Sequence, residues 1–288
     1  MSWGDAYPDK TFFVIRRADC KVGLFSHVMT NMGMADQALK RGYIPVVDMQ
    51  NNLNNYLEED KKGKENAWEY YFRQPCGYSL ADIKNARNVI LSNGLITRDI
   101  DYPDFSIVED ERRFDRWHIF FQRYFRVTDD IAAEYEELRK KFLGDEKALG
   151  VLARGTDYVI SKPKNHPVQP TVEQIITKSR EILERYSCKK LFLATEDAMI
   201  YEEMKAAFGE ELITLEMGRY VASDGQNIND LVRSNGKDKA MNGREYLLSI
   251  MLLAGCDYLV AGNTGGTHGA LLMNTKYEYK YIFQLGTY

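Results

Sequence analysis

Short apolar runs alternating with amphipathic stretches, each run closing on a loop rich in Arg, Thr, Asp, Asn or Gly, constrain this chain more than any other feature. In the second half the pattern is regular, with apolar runs at 148–153, 190–194, 212–215 and 258–261 and helical periodicity at 171–186, 199–208, 244–254 and 267–273. The first half opens the same way. A run at 12–15 leads to a glycine-bearing turn at Gly23, a helical pattern through Ala35, Ala38 and Leu39, and a second run at 43–47. Strand, crossover helix and strand in succession predict parallel pairing, because parallel neighbours need a connection of about a dozen residues. The expected fold class is therefore α/β. A further strand is expected at 88–92, and an amphipathic helix at 129–142, closed by Gly144, is the candidate hinge between domains. No short period recurs, which argues against a solenoid.

At 288 residues the chain is too long for one compact core. Two domains are expected, 1–145 and 146–288. With 44% hydrophobic and 28% charged residues, the composition is that of a folded globular chain. A net charge of -4 gives no long-range field to recruit nucleic acid or an anionic membrane, so an anionic ligand has to be met by a local pocket. Residues 1–10 lack the basic and apolar regions of a secretory signal, and no run approaches the roughly 18 apolar residues of a membrane span. A cytoplasmic protein is expected, with peripheral membrane contact left open. Cys20, Cys76, Cys188 and Cys256 are scattered without metal-ligand or disulfide spacing and read as reduced structural thiols.

Three strand-end loops carry chemistry. In Gly150-Val-Leu-Ala-Arg-Gly-Thr-Asp-Tyr158 an apolar run delivers Arg154, Gly155, Thr156 and Asp157 to one point. The planar fork of Arg makes paired, charge-assisted hydrogen bonds to phosphate oxygens. The same spacing also suits a plain surface ion pair between Arg154 and Asp157. Gly262-Asn-Thr-Gly-Gly-Thr-His268 lies between a strand and an apolar helix, an arrangement that aims backbone N–H groups at an anion such as pyrophosphate. It reads equally as a turn with Thr267 as helix N-cap, and it is neither a Walker loop nor G-x-G-x-x-G. In Ala194-Thr-Glu-Asp197 the carboxylates can accept hydrogen bonds from a base or ribose, or Asp197 can cap the next helix. The aromatic runs 68–72 and 117–125, the second containing His118, fit either core packing or a stacking platform for an acceptor sugar. The basic loop 162–165 is a solvated turn or a lid.

Taken in order, these segments resemble the signature of the fucosyltransferase superfamily, which includes the bacterial α1,2-fucosyltransferases, the α1,6-fucosyltransferases with the nodulation enzymes, and the protein O-fucosyltransferases. Gly150 to Asp157 is similar to that family's His-x-Arg-Arg-Thr/Gly-Asp strand end, with Arg154 on its essential Arg. Phe192-Leu-Ala-Thr-Glu-Asp197 resembles its Ala-Thr-Asp-Asp stretch. Residues 246–274 resemble its last helix, strand and turn. Gly23-Leu-Phe-Ser-His-Val-Met-Thr-Asn31 is similar to its Gly-rich loop, and Trp68-Glu-Tyr-Tyr-Phe72 to a Trp-Glu segment.

The resemblance implies a GT-B architecture, two Rossmann-like domains facing across a cleft, with the nucleotide mainly on the second. It implies transfer of fucose from GDP-fucose to a glycan hydroxyl with inversion, the GDP-sugar being a co-substrate and no metal or other cofactor being needed. Donor contacts are then expected from Gly23, Ser26, His27 and Asn31 in the first domain. In the second they are expected from Arg154, Thr156, Asp157 and His166, from Thr195, Glu196 and Asp197, and from Asn263, Thr264, Gly266, Thr267 and His268. Arg154 is the expected leaving-group cation, and Asp157 and His27 are the candidates for general base.

The departures are specific. The family's His is Leu152 here and its second Arg is Gly155, so the phosphate site needs help from Thr267, His268 or the first loop. The position of the α1,6 branch's proposed base is Lys162, although His166-Pro167 returns to the pattern. Two rival readings stand beside this one: a glycosyltransferase using another nucleotide sugar, and a sugar-nucleotide or glycan-binding protein without turnover. A Rossmann oxidoreductase is disfavoured, since no G-x-G-x-x-G follows the first strand.

Overall fold

The structure is a computed structural model and describes residues 1–17, 22–92, 100–154, 162–221, 231, 236 and 238–288. The chain divides into two compact units, Met1–Asp129 with Asp238–Arg244, and Asp130–Lys237 with Glu245–Tyr288.

The first unit is built on β1 (Ala6–Ile15), β2 (Ile44–Val47) and β3 (Ala86–Leu91), parallel in the order β2-β1-β3. β1 takes the centre, with Phe12 and Val14 fully buried and clustered with Val46 and Val89. Its crossover helix α1 (Leu24–Lys40) buries Leu24, Val28, Met32 and Ala35, the spacing of one helical face. Gly33 lets segment 100–102 lie against that helix, since an added Cβ would stand 2.7 Å from the Asp101 carbonyl oxygen. Helix α2 (Glu111–Tyr124) buries Phe114, Trp117 and Phe121. Trp68, Tyr71, Phe72, Trp117 and Phe125 are all buried, with Trp68 stacked on Phe72 at 4.7 Å and edge-on to Phe125 at 5.5 Å. The large rings of the two aromatic runs therefore belong to the core, while Tyr70, His118, Phe120 and Tyr124 of the same runs stay partly exposed.

α3 (Asp129–Phe142) follows and closes as its glycine predicts, with Gly144 at φ +61° donating its N–H to the Arg139 carbonyl at 3.0 Å.

In the second unit β4 (Ala148–Leu152), β5 (Lys190–Ala194), β6 (Leu212–Ile213), β7 (Tyr258–Gly262) and β8 (Tyr279–Phe283) form one parallel sheet in the order β6-β5-β4-β7-β8. Helices α4 (Val172–Tyr186), α5 (Ala198–Phe208) and α7 (Gly265–Met273) complete it, together with the part of α6 (Lys239–Ala254) from Glu245 onward, the first residues of α6 belonging to the first unit. Leu149, Val151, Leu191, Leu193, Tyr258 and Val260 supply the sheet side of the core, against Ile175, Ile182, Ile200 and Met204. Near-continuous apolar strands are what a parallel sheet covered on both faces requires. The chain winds outward from β4 through β5 to β6, then returns to the other side of β4 for β7 and β8. That reversal opens a crevice at the carboxyl end of β4, where ligands of such sheets sit.

Several elements exceed the sequence reading, among them α2, the first half of β1, β8 and the start of α6. β8 lies on the sheet edge, where its tyrosines are only partly buried and its pattern is weak. α6 starts at Lys239 rather than at 244, because Asp238 accepts hydrogen bonds from the Ala240 and Met241 N–H groups at 2.7 and 3.2 Å and so caps a turn earlier.

Candidate functional site

The crevice at the ends of β4 and β5 is a cleft with Arg154, Thr195, Glu196, Ser249 and Thr264 in its polar lining and Leu152, Met217 and Tyr246 along its apolar wall. Register explains the polar cluster. Leu152 lies opposite Ala194, so the residues two positions beyond each strand end meet. Arg154 Nη1 and Glu196 Oε2 are 3.4 Å apart, with side chains 19% and 18% exposed. Arg154 thus has an ion-pair partner, Glu196, that the spacing within its own loop did not suggest. Thr156 and Asp157, the other expected members of that loop, lie outside the described residues.

Asp197 is buried and caps α5, accepting from the Met199 and Ile200 N–H groups at 2.8 and 3.1 Å. Thr195 Oγ1 accepts from the Asp197 N–H at 3.2 Å. Of the two acidic residues, Glu196 reaches the cleft and Asp197 holds the framework. The loop after β6, which the sequence reading did not single out, forms a further wall. The Glu196 carbonyl accepts from the Tyr220 N–H at 2.9 Å and the Tyr220 carbonyl from the Ala198 N–H at 2.9 Å, which brings Met217 to the cleft. In the same loop Arg219 lies over the Tyr201 ring at 4.0 Å and donates to Thr214 Oγ1 at 2.7 Å and to the Leu215 carbonyl at 3.1 Å. Burial pulls its guanidinium pKa down.

The glycine-rich turn differs from expectation in its cap. Thr264, not Thr267, is the N-cap of α7: it is extended, and its Oγ1 accepts from the Thr267 N–H at 3.4 Å. The two threonine hydroxyls lie 3.1 Å apart, and Thr267 Oγ1 donates to the Gly262 carbonyl at 2.5 Å. Gly265 and Gly266 can therefore enter the first turn, and Gly266 is buried there. His268 is fully buried, its Nε2 2.7 Å from Asn263 Oδ1. Thr267 and His268 are both fully buried, and their polar side chains bond to the backbone or side chains of 262–264. Thr264 is the member of the turn that lines the cleft.

Gln169 supports the turn from below, donating from Nε2 to the Asn263 carbonyl at 3.1 Å and to the Pro167 carbonyl at 3.0 Å. A Cβ at Gly262 would strike Gln169 Oε1, so a larger residue there would force the Gln169 side chain to move. His166 lies at the end of the basic loop, half-buried, and burial pulls its imidazole pKa below the ordinary value. That loop is strapped to residues 286–288: Asn165 N–H to the Tyr288 carbonyl at 3.2 Å, Tyr288 N–H to the His166 carbonyl at 3.0 Å, and Val168 N–H to the Gly286 carbonyl at 2.9 Å.

The first unit has its own polar pocket of about 250 Å³ at the ends of β1 and β2, where His27, Asn31, Asp48 and Asn52 meet. Gly23 is the N-cap of α1, and Arg17 Nη1 donates to the Ser26 carbonyl and hydroxyl at 2.9 and 3.1 Å. His27 is 2% exposed, edge-on to Tyr56 at 6.1 Å. Asn31 is buried with its Nδ2 lacking a hydrogen-bond partner. Asp48, fully buried, accepts from Arg16 Nε at 2.6 Å and from the Gln50 and Asn51 N–H groups at 3.0 and 3.1 Å. The structure thus brings Gly23, Ser26, His27 and Asn31 to one strand-end region and Arg154, Thr195, Glu196 and Thr264 to another.

Among the described residues no three His, Cys, Asp or Glu side chains group as metal ligands, and no helix is long and apolar enough to cross a membrane.

Two Rossmann-like α/β units, the second doubly wound with a polar cleft at its switch point, define the GT-B class of fold. Among solved structures the chain is similar to the fucosyltransferase NodZ from Bradyrhizobium, with a TM-score of 0.56 at 16% identity over 92% of this chain and 94% of that one. It is similar to NodZ α-1,6-fucosyltransferase co-crystallised with GDP, with a TM-score of 0.55 at 16% identity over 92% of this chain and 93% of that one. POFUT1 in complex with GDP matches with a TM-score of 0.54 at 11% identity, over 96% of this chain and 99% of that one. The chain has the fucosyltransferase-like GT-B fold. No protein-family model matches the sequence, and no curated protein matches it in sequence.

Proposed function

We propose that this chain is an inverting, metal-independent fucosyltransferase that moves fucose from GDP-fucose to a glycan hydroxyl, with residues 146–288 as the donor domain and 1–145 as the acceptor-side domain. The observation that carries the reading is Arg154, presented at the end of β4 into the cleft of a doubly wound unit whose fold is shared with enzymes crystallised with GDP and GDP-fucose.

Breaking a sugar–phosphate bond places negative charge on the departing diphosphate. A fixed cation and aimed N–H donors that tighten as that charge grows lower the barrier, because they bind the transition state better than the ground state. Arg154 supplies the cation, and the first turn of α7 behind Thr264 supplies N–H groups and the positive end of its dipole. Thr195 and Glu196 line the same cleft, and in this reading they accept hydrogen bonds from the nucleoside. His27 and Asp157 remain the proposed bases for the acceptor hydroxyl. The free thiols of Cys76, Cys188 and Cys256 support a reducing, cytoplasmic setting.

Arg154→Ala should lower kcat by at least about 10²–10³-fold, the usual loss when one preorganised charge-stabilising donor is removed. The melting temperature should stay near that of the parent, because the side chain is not part of the core. A variant that retains activity refutes the assignment. Of the nucleotide sugars, GDP-fucose should raise the melting temperature most, since a ligand bound only by the native state stabilises it. Indifference to every GDP-sugar would sink the reading.

A further inference from the structure

The place at Arg154 that a phosphate would take is held in this structure by a carboxylate of the protein itself. The Arg154–Glu196 separation of 3.4 Å is longer than the roughly 2.7–2.9 Å of a tight charge-assisted pair. Both side chains are partly exposed in the same cleft, next to the N-cap Thr264. The backbone under Glu196 is pinned: its carbonyl accepts from the Tyr220 N–H at 2.9 Å, and the next residue caps α5. With that backbone fixed, a change of side-chain torsions carries Glu196 from the paired position to a released one. A diphosphate arriving at Arg154 offers the guanidinium more negative charge than one carboxylate does. It also repels that carboxylate across a few ångströms.

We propose that Glu196 is the resident counter-anion of Arg154, displaced by the diphosphate of the nucleotide and then used to accept a hydrogen bond from a hydroxyl or N–H of the same ligand. This rests on the reading of Arg154 as the phosphate-binding cation. Glu196 is then a specificity residue. It imposes a penalty on every anion that reaches Arg154 and returns it only to anions that carry a donor group, so the cleft discriminates against inorganic phosphate and pyrophosphate in favour of nucleoside diphosphates.

The test compares the parent, Glu196→Gln and Arg154→Ala in calorimetric titrations with inorganic pyrophosphate and with GDP at low ionic strength. Removing a partly exposed carboxylate competitor is expected to tighten pyrophosphate binding about two- to fivefold, the size of a surface ion pair, and the gain should shrink in high salt. GDP should show no such gain, because the variant loses the acceptor as well as the competitor. A merely structural role for Glu196 would weaken both ligands together. If Glu196→Gln binds pyrophosphate no better than the parent while Arg154→Ala abolishes that binding, the counter-anion role is overturned and the phosphate role of Arg154 stands. If Arg154→Ala binds pyrophosphate as the parent does, both fall.

Discussion

Arg154 and Glu196 are 42 residues apart in the chain and adjacent in the cleft, brought together by the β4–β5 register. Glu196 and Asp197 show how finely a site is divided at the scale of one residue. Side by side in sequence and alike in chemistry, one lines the cleft and the other is buried as a helix cap. The sequence marked both as ligand candidates, and which of them lines the cleft is set by where α5 begins. His166 carries a prediction of its own. Burial lowers its folded pKa below the ordinary 6.5, so the unfolded chain binds the proton more tightly. Its contribution to stability is complete above pH 6.5 and is lost as the pH falls through the depressed folded value. Melting curves of the parent and His166→Gln across that acid range should show a shallower fall for the variant; parallel curves would contradict the linkage.

At the scale of elements, helix caps and glycine approaches account for where most boundaries fall. The capping box of Thr171 and Gln174 starts α4, and Gly144 ends α3, both legible as local signals. The cap of α7 was placed three residues late, since Thr264 and Thr267 are equally good N-cap residues in isolation. The choice is made by Thr267 Oγ1, which is drawn onto the Gly262 carbonyl. Segment 238–244 packs with the first unit, with the Lys239 N–H on Glu58 Oε1 at 3.0 Å and the Tyr71 hydroxyl donating to the Ala240 carbonyl at 3.0 Å. Nothing in its sequence carries that information. Gly33 in α1 offers a test in which two effects oppose. Gly33→Ala gains up to about 1 kcal/mol of helix propensity but forces a Cβ to within 2.7 Å of the Asp101 backbone oxygen, and overpacking of that kind costs about 1–3 kcal/mol. Net destabilisation, read as a lower urea midpoint, is expected; a rise would show that segment 100–102 yields freely.

For the whole molecule, two units with separate cores imply that a ligand of one protects that unit first. Cys256 lies in the second unit, with burial holding its thiol pKa well above the usual range, while Cys76 in the first is half-buried. Cys256 should therefore react with a thiol reagent only through opening of its unit. At about 100 times its dissociation constant, GDP should slow that labelling by about 100-fold while slowing Cys76 less, as read by site-resolved mass spectrometry. Equal protection of both thiols would mean that the units open together, and no protection of Cys256 would place the nucleotide elsewhere. The sequence by itself determined the α/β class, the succession of strands and helices, and the loops in which the chemistry collects, because apolar periodicity, caps and turn residues act over neighbouring positions. Only the tertiary structure decided that Glu196 rather than Asp197 meets Arg154, that His268 is buried against Asn263, that the large rings of the aromatic runs are core, and that the loop after β6 walls the cleft. Those outcomes depend on strand order, register and burial, which are set by contacts between residues far apart in the chain.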